Sequence, residues 1–417
     1  MNSHYEILIV GGGTAGIMTA ANLLQKDKSL KIGLIDPADM HYYQAAWTLV
    51  GAGTYDYDKT GKPMADVIPD GVDWIKDFAT AFHPDKNTLD TKANGSITYD
   101  YLVVCPGLVM EPSMIEGLEE ALDKGNVCSN YTDPEHTWEV LKNFKGGNAV
   151  FTQPSTPIKC GGAPQKIAYL AADYFKKNQI DANVIFATPG TVIFGVKCVA
   201  DTLTKVIHRY GIHFRPFYSP VKIDSEKNIV TFKWVNKNEE IALNENNPID
   251  EKKSGDSFIE IPYDMLHLAP PQAAPKFIRE SSLVNEAGWL DVDKHTLQHK
   301  KYPNIFGLGD VAGLPTAKTG AAIRKQSPIV VDNILKLKKT KHMGTMSYNG
   351  YSSCPLVTGY GKMVLAEFDY DQNFIPDPKL KQMLVFDSSK EHWRLWMLKK
   401  YGLPYLYWNK MLKGKEV

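Results

Sequence analysis

Charge of one sign is what this 417-residue chain most plainly lacks: 47 Lys and Arg stand against 47 Asp and Glu. No overall field draws it to nucleic acid, so an electrostatic partner has to be read from local clusters. No apolar run reaches the ~18–20 residues that a membrane span needs. Cysteine is scarce as well. Residues 105, 128, 160, 198 and 354 are too few and too irregularly spaced for a disulfide scaffold or a zinc knuckle. In a reducing compartment structural thiols stay reduced, so a disulfide here is expected to be a catalytic one. MNSHYEILIVGGG enters a strand-like run at once, with no secretory signal or Arg-rich leader expected in the chain as given. The 43% apolar content supports large cores, and the length predicts two interleaved domains plus an appendage.

YEILIV (5–10) is a short β-rich apolar run, GGGTAG follows, and IMTAANLLQ (17–25) has helical spacing. LKIGLID (30–36) is a second strand ending in an acid. In this βαβ unit Gly11, Gly13 and Gly16 form G-x-G-x-x-G, and Asp36 takes the place of the acid that accepts from a ribose. The glycines permit the tight turn and let a pyrophosphate approach backbone N–H groups at the helix N-terminus. ITYDYLVVCPG (97–107) reads as strands closing on Gly107, a place where many flavoproteins bring the chain back to the cofactor. TLQHKKYPNIFGLGD (296–310) places a strand before Gly309 and Asp310, a late pair that suits the ribityl chain of FAD. An early phosphate loop with a late G-D favours FAD over NAD at this first site.

Between these halves NAVFTQP (148–154), QKIAYLAADYFKK (165–177) and NVIFATPG (183–190) repeat strand, helix and strand. Their connecting loop, PSTPIKCGGAP, lacks G-x-G-x-x-G, carries three prolines and contains Cys160. The second strand ends without an acid, so no NAD(P)H site is expected here. NENNPIDEKKSGDS (244–257) reads as a solvated hairpin loop. The expected division is a FAD domain in two parts, 1–147 and 286–340, a second Rossmann-like domain at 148–285, and a C-terminal section at 341–417.

That section opens with a hairpin pattern carrying Cys354 (346–370). Residues 392–415 then hold six aromatics and six Lys or Arg with no acid. Trp393, Trp396 and Met397 share one helical face, and Leu403, Leu406, Tyr407 and Met411 another. Two short amphipathic helices with basic flanks describe an interfacial membrane anchor. The alternative is that these stripes pack on the protein's own core or on the second copy of a homodimer. Cys160 opens a helix, where aligned N–H groups favour a thiolate, and Cys354 stands in a Ser-Ser-Cys-Pro turn. From spacing alone a redox pair and two buried thiols both remain open.

FTQPSTPIKCGGAPQKIAYL (151–170) and SCPLVTGYGKMVLAEFDY (353–370) resemble the sulfide:quinone oxidoreductases, with more likeness to their mitochondrial-like branch. HYYQAAWTLVGAG (41–53), YDMLHLAPP (263–271), AGWLDVDKHTLQHKKYPNIFGLGD (287–310), LPTAKT (314–319) and LPYLYWNKMLKG (403–414) extend the resemblance over essentially the whole chain. It implies an α/β fold of two Rossmann-like domains, of the two-dinucleotide-binding flavoprotein type, with a C-terminal membrane-association section. It further implies FAD and a disulfide or sulfur-bridged pair between Cys160 and Cys354. Hydrosulfide opens that bond, leaving a persulfide on Cys354 and a Cys160 thiolate facing the flavin. Ubiquinone or menaquinone takes the electrons, and glutathione, coenzyme A or sulfite takes the sulfur. The resemblance places Gln44 and Lys318 near the flavin. It places the protein on a membrane surface: the bacterial cytoplasmic membrane, or the mitochondrial inner membrane if a transit peptide was trimmed.

Cys128 departs from the mitochondrial-like branch and resembles the extra cysteine of the bacterial branches, so it joins the candidate catalytic residues. Cys105 and Cys198 are expected to be structural. Where the bacterial branch carries a glutamate after the central cysteine this chain has Gln165 and Lys166, which leaves no general base assigned. The competing readings are a type 2 NADH:quinone enzyme, a flavocytochrome c sulfide dehydrogenase, and a flavin redox sensor without turnover.

Overall fold

The computed structural model describes residues 3–243 and 247–416. Strand β1 (His4–Val10) is followed by helix α1 (Thr14–Lys26) and β2 (Ile32–Ile35). β1 lies parallel between β2 and β3 (Gly95–Val104), in a seven-stranded sheet of order 72–75, β2, β1, β3, 88–91, 79–83. The late strand Ile305–Gly307 returns to pair with β3 at residues 102–104. Ile7, Leu8 and Ile9 are wholly buried. That burial explains why a central parallel strand reads as a continuous apolar run rather than an alternating one.

The second sheet is parallel throughout, in the order 127–128, 265–268, β4 (Gly147–Thr152), β5 (Ala182–Thr188), 213–216. Helix α2 (Ala163–Lys177) connects β4 to β5. A four-stranded antiparallel sheet covering 218–262 follows, which the sequence reading did not anticipate. Part of the expected hairpin loop is there, as Lys252–Ser254 pairs with Phe258–Pro262. Residues 244–246 of that loop lie outside the described residues.

Helix α3 (Gly320–Thr340) crosses back against α1. It leads to a hairpin of β6 (Ser352–Gly359) and β7 (Lys362–Phe368), in which Cys354 stands opposite Ala366. Beyond it the helical segment runs Trp393–Met397, a π turn Leu398–Gly402, and α4 (Leu403–Asn409). Among the described residues, no helix is long and apolar enough to cross a membrane.

The two predicted apolar faces of this segment are only half right. Leu395 and Trp396 are buried in the core that holds Cys354, and Tyr407, Met411 and Leu412 are buried in the core around α1. What stays outside is Trp393, Met397, Tyr401 and Tyr405, each 44–59% exposed and spaced four residues apart. Burial of the other face fixes this orientation, because each buried aromatic removes a large apolar surface from water.

Candidate functional site

β1 delivers the chain into Gly11 at φ 108°, a left-handed conformation, where an added Cβ would stand 2.4 Å from the Cys105 carbonyl oxygen. A Cβ on Gly16 would stand 1.9 Å from the Gly11 carbonyl oxygen. Both positions therefore require glycine. Gly13 has open space on its Cβ side, at the N-cap of a helix with no side-chain cap. Those uncapped N–H groups are free to receive an anion. At the end of β2 the Asp36 carboxylate accepts from the Gly12 N–H at 2.6 Å and from the Ala38 N–H at 2.8 Å, so it borders the same loop.

Gly107 follows β3, with φ 75° and open space beside it. Gly309 also has φ 75°, and its N–H donates to Gln326 Oε1 at 2.9 Å. Burial pushes the Asp310 carboxyl up, against the pull of Lys318 and Lys159. Lys318 donates to the carbonyl oxygens of Asp310 and Ala312 (2.6 and 3.1 Å), and its ammonium sits 3.8 Å from the Trp289 ring centroid. Burial lowers its pKa to about 8. Lys159 donates to Gln44 Oε1 at 2.5 Å. The Gln272 side chain accepts from the Lys159 N–H at 2.8 Å, yet its own buried Nε2 has no partner. Open glycine faces, an orphaned amide donor and two partly desolvated lysines form a donor set that fits an anionic flavin dinucleotide.

Cys160 sits where β4 has ended and α2 is about to begin, with φ 51°. That left-handed region costs a residue with a side chain roughly 1–3 kcal/mol and has to be enforced by its surroundings. Here the Cys160 N–H donates to the Lys318 carbonyl (2.7 Å), and its carbonyl accepts from the Ala163 N–H (2.7 Å) and the Tyr131 hydroxyl (3.2 Å). The Cys354 thiol, on β6 and 3% exposed, is its hydrogen-bonding neighbour, both cysteines being free thiols. A Cβ on Gly162 would stand 2.6 Å from Cys354 Sγ and 2.7 Å from Leu356. The second glycine of Cys-Gly-Gly is thus the room the partner cysteine occupies.

Lys166, 2% exposed on the first turn of α2, donates to Cys160 Sγ at 3.0 Å. The Cys354 thiol first, and the Lys166 ammonium after it, hold Cys160 well below the usual thiol range; burial opposes them. Cys354 is pushed well above that range by its hydrogen bond to Cys160 and by burial. The two shifts run in opposite directions, with Cys160 the more acidic of the pair. Burial works against the Lys166 ammonium, but the two sulfurs outweigh it and its pKa rises. Lys399, 3% exposed in the π turn, donates to the Ala45 carbonyl at 2.6 Å. Burial and then the charge of Lys166 bring its pKa to about 7.

Sequence reasoning misses both lysines. Lys166 enters it only as the absence of a glutamate, and Lys399 falls among the basic flanks of a membrane anchor. A signal for Lys166 does exist, since it lies six residues past Cys160 on the following helical turn. Lys399 leaves no local signal. Cys128 is wholly buried in the strand Val127–Cys128, where it pairs with His267, in the core that also holds Cys354. Burial pushes its thiol up, and its polar neighbours are Thr137, Asp123 and Asp133. Cys105 is buried under the phosphate loop, and Cys198 is half-buried on helix Lys197–Tyr210.

The sequence profile of the family described as pyridine nucleotide-disulphide oxidoreductase matches residues 5–328. The mouse protein named sulfide:quinone oxidoreductase, mitochondrial, is 39% identical, over 99% of this chain and 87% of its own. The Dictyostelium discoideum protein of that name is 40% identical, over 98% and 86%. The crystal structure of the sulfide:quinone oxidoreductase of Aquifex aeolicus superposes with a TM-score of 0.76 at 21% identity, covering 99% of this chain and 92% of that one. That last likeness concerns the fold.

Proposed function

Since the chain belongs to the pyridine nucleotide-disulphide oxidoreductases, and among them to the sulfide:quinone oxidoreductase family, we propose that it oxidises sulfide and passes two electrons to a membrane quinone. The observation that carries this reading is the Cys160–Cys354 pair with a lysine ammonium 3.0 Å from one sulfur. In the oxidised enzyme the two sulfurs are bonded. Hydrosulfide attacks Cys354, a new S–S bond forms there, and Cys160 leaves as the thiolate. A leaving thiolate departs faster the lower its pKa, and Lys166 stabilises this one. An acceptor nucleophile takes the outer sulfur and leaves Cys354 as a thiolate. Re-forming the Cys160–Cys354 bond then releases two electrons. FAD, held by Gly11, Gly13, Gly16, Asp36, Gly107, Gly309 and Asp310, with Gln44 and Lys318 beside its ring, would supply the acceptor for those electrons and pass them to quinone. With a thiol acceptor such as glutathione or coenzyme A, one hydrogen sulfide, one thiol and one quinone give one persulfide of that thiol and one quinol. Sulfite gives thiosulfate by the same count.

Lys399 exchanges its proton near pH 7 and is the base this reading offers for the protons of sulfide and acceptor. The proline-rich loop in place of a second phosphate loop leaves sulfide, not a nicotinamide, as the reductant. The exposed stripe Trp393, Met397, Tyr401 and Tyr405 is read as the contact with the bilayer that holds the quinone. The division at 285 and 340 is kept as the domain reading, while the strand Val127–Cys128 of the expected first part joins the second sheet, so the boundary at 147 moves forward of it. Cys128 is read as a packing thiol rather than a catalytic one. The relatives are named as mitochondrial, which favours the mitochondrion over a bacterial cytoplasmic membrane as its location.

Sulfide-dependent reduction of a short-chain quinone tests the reading. Turnover is expected to collapse in both Cys160→Ser and Cys354→Ser. Persistence in either variant, or rapid reduction of the bound flavin by NADH, would refute it.

A further inference from the structure

Three observations converge on Tyr407, in the last helix. Its hydroxyl lies 2.7 Å from Thr14 Oγ1 and 2.5 Å from His41 Nε2. Thr14 is the first residue of α1, inside GGGTAG. His41 Nδ1 lies 3.2 Å from the carbonyl oxygen of Gly12, in the same loop. Tyr407 therefore touches the phosphate loop directly at Thr14 and, through His41, at Gly12. It is 6% exposed, with its ring 4.5 Å from that of Tyr43.

The direction of these hydrogen bonds follows from chemistry. A carbonyl oxygen only accepts, so His41 Nδ1 carries its proton toward Gly12. Burial lowers the His41 pKa and keeps the ring neutral, so Nε2 accepts from the Tyr407 hydroxyl. That uses the one proton of Tyr407, so the contact with Thr14 has Thr14 as donor. The Thr14 hydroxyl proton is thereby turned toward Tyr407, and the uncapped backbone N–H groups at the start of α1 are left to meet an anion. A second grip lies further along α1, where the Gln25 amide donates to the Lys413 carbonyl at 2.6 Å. Helix α1 is thus held by the C-terminal segment at its first turn and at its last.

We propose that Tyr407 is a positioning residue for the cofactor: it fixes the phosphate loop through Thr14 and His41, so that retention of FAD depends on the C-terminal segment being seated. The inference rests on the FAD reading above. The same segment carries Lys399 inward to the sulfur pair and Tyr405 outward, so one continuous helix serves the cofactor loop, the cysteines and the exposed stripe.

Flavin-stripped protein titrated with FAD, followed by the quenching of flavin fluorescence, tests it. Tyr407→Phe keeps the ring and removes only the hydroxyl, so the thermal midpoint of the stripped protein should stay near wild type. The FAD dissociation constant should rise about tenfold, equivalent to about 1.4 kcal/mol. Thr14→Val should reproduce the rise, and the double variant should add little, because both remove one bond. Tyr405→Phe, on the exposed side of the helix, should bind as wild type does. A Tyr407→Phe variant that binds FAD within about twofold of a wild type that binds it overturns the latch alone. Loss of stability with an unchanged dissociation constant overturns it too. A wild type that takes up no FAD overturns the cofactor reading and this one with it.

Discussion

Removing the Lys166 charge with Lys166→Met should raise the pKa of Cys160, and its size can be worked out. The ammonium is 3.0 Å from Cys160 Sγ. At an effective dielectric of about 20, unit charges at that distance attract by about 5.5 kcal/mol. At about 1.36 kcal/mol per unit that is a ceiling of about 4 pKa units. Lys399 takes back part of it. Its own pKa is lowered to about 7 by burial and then by the charge of Lys166, so loss of that charge raises its pKa and its positive charge at neutral pH. We expect a net rise of about 2 units in Lys166→Met. Lys399→Met alone should give a smaller rise, because Lys399 is only partly charged to begin with. The double variant should exceed the sum of the two, since it removes both the charge and its reserve. The assay is the rate of alkylation of reduced protein against pH, with the modified peptide mapped to Cys160. If the apparent pKa of Cys160 moves by less than about half a unit in the single and in the double variant, the lysines do not hold the thiolate.

Gly162→Ala should push Cys354 and Leu356 away from Cys160, because the new Cβ would start 2.6 Å from Sγ. With a misplacement of this kind costing about 100-fold, sulfide turnover is expected to fall at least about tenfold, and wild-type turnover would refute the geometry. Replacing Trp393, Met397, Tyr401 and Tyr405 together by Gln should weaken liposome binding at least about tenfold while sparing turnover with a soluble short-chain quinone. Unchanged flotation with liposomes would refute the bilayer contact. His267, wholly buried, has its pKa lowered from 6.5 to about 3 by burial. Below pH 6.5 the unfolded chain takes up a proton that the folded one refuses, so stability falls as pH drops from 6.5 toward 3. The loss is at most about 5 kcal/mol, from about 3.5 units at about 1.36 kcal/mol each. His267→Gln, which keeps an acceptor for the Asn130 N–H, should flatten this loss in urea unfolding at about pH 7 and pH 4, and an unchanged slope would refute the assignment.

The first dinucleotide loop was legible because every part of its signal is local: a strand, three glycines, a helix, and an acid at the end of the next strand. Cys160 was legible as an anomaly, a thiol where a phosphate loop was due, and the resemblance supplied its partner. The rest was hidden for identifiable reasons. Periodicity states which residues share a face but not what covers that face, so Trp396 and Tyr407 looked like surface when they are core. A π turn shifts the phase of a helix, and Lys399, which sits in one, faces inward from a stretch that reads as uniformly basic. The antiparallel strands between 218 and 262 carry alternating patterns in a region judged by its turn-rich loop.

The inward face of the C-terminal segment changes how a form of this protein without its exposed stripe has to be made. Trimming residues 392–417 looks like the simple route to a sample without that exposed apolar surface. It would remove Leu395 and Trp396 from one core, Tyr407, Met411 and Leu412 from another, and the charge of Lys399 that acts on Cys160 and Cys354. Such a truncated product would lose the exposed stripe and part of two cores together, and would report on neither. Recolouring the four exposed positions leaves the buried side intact, and for crystallisation or a solution assay it is the outer stripe, not the tail, that should be redesigned.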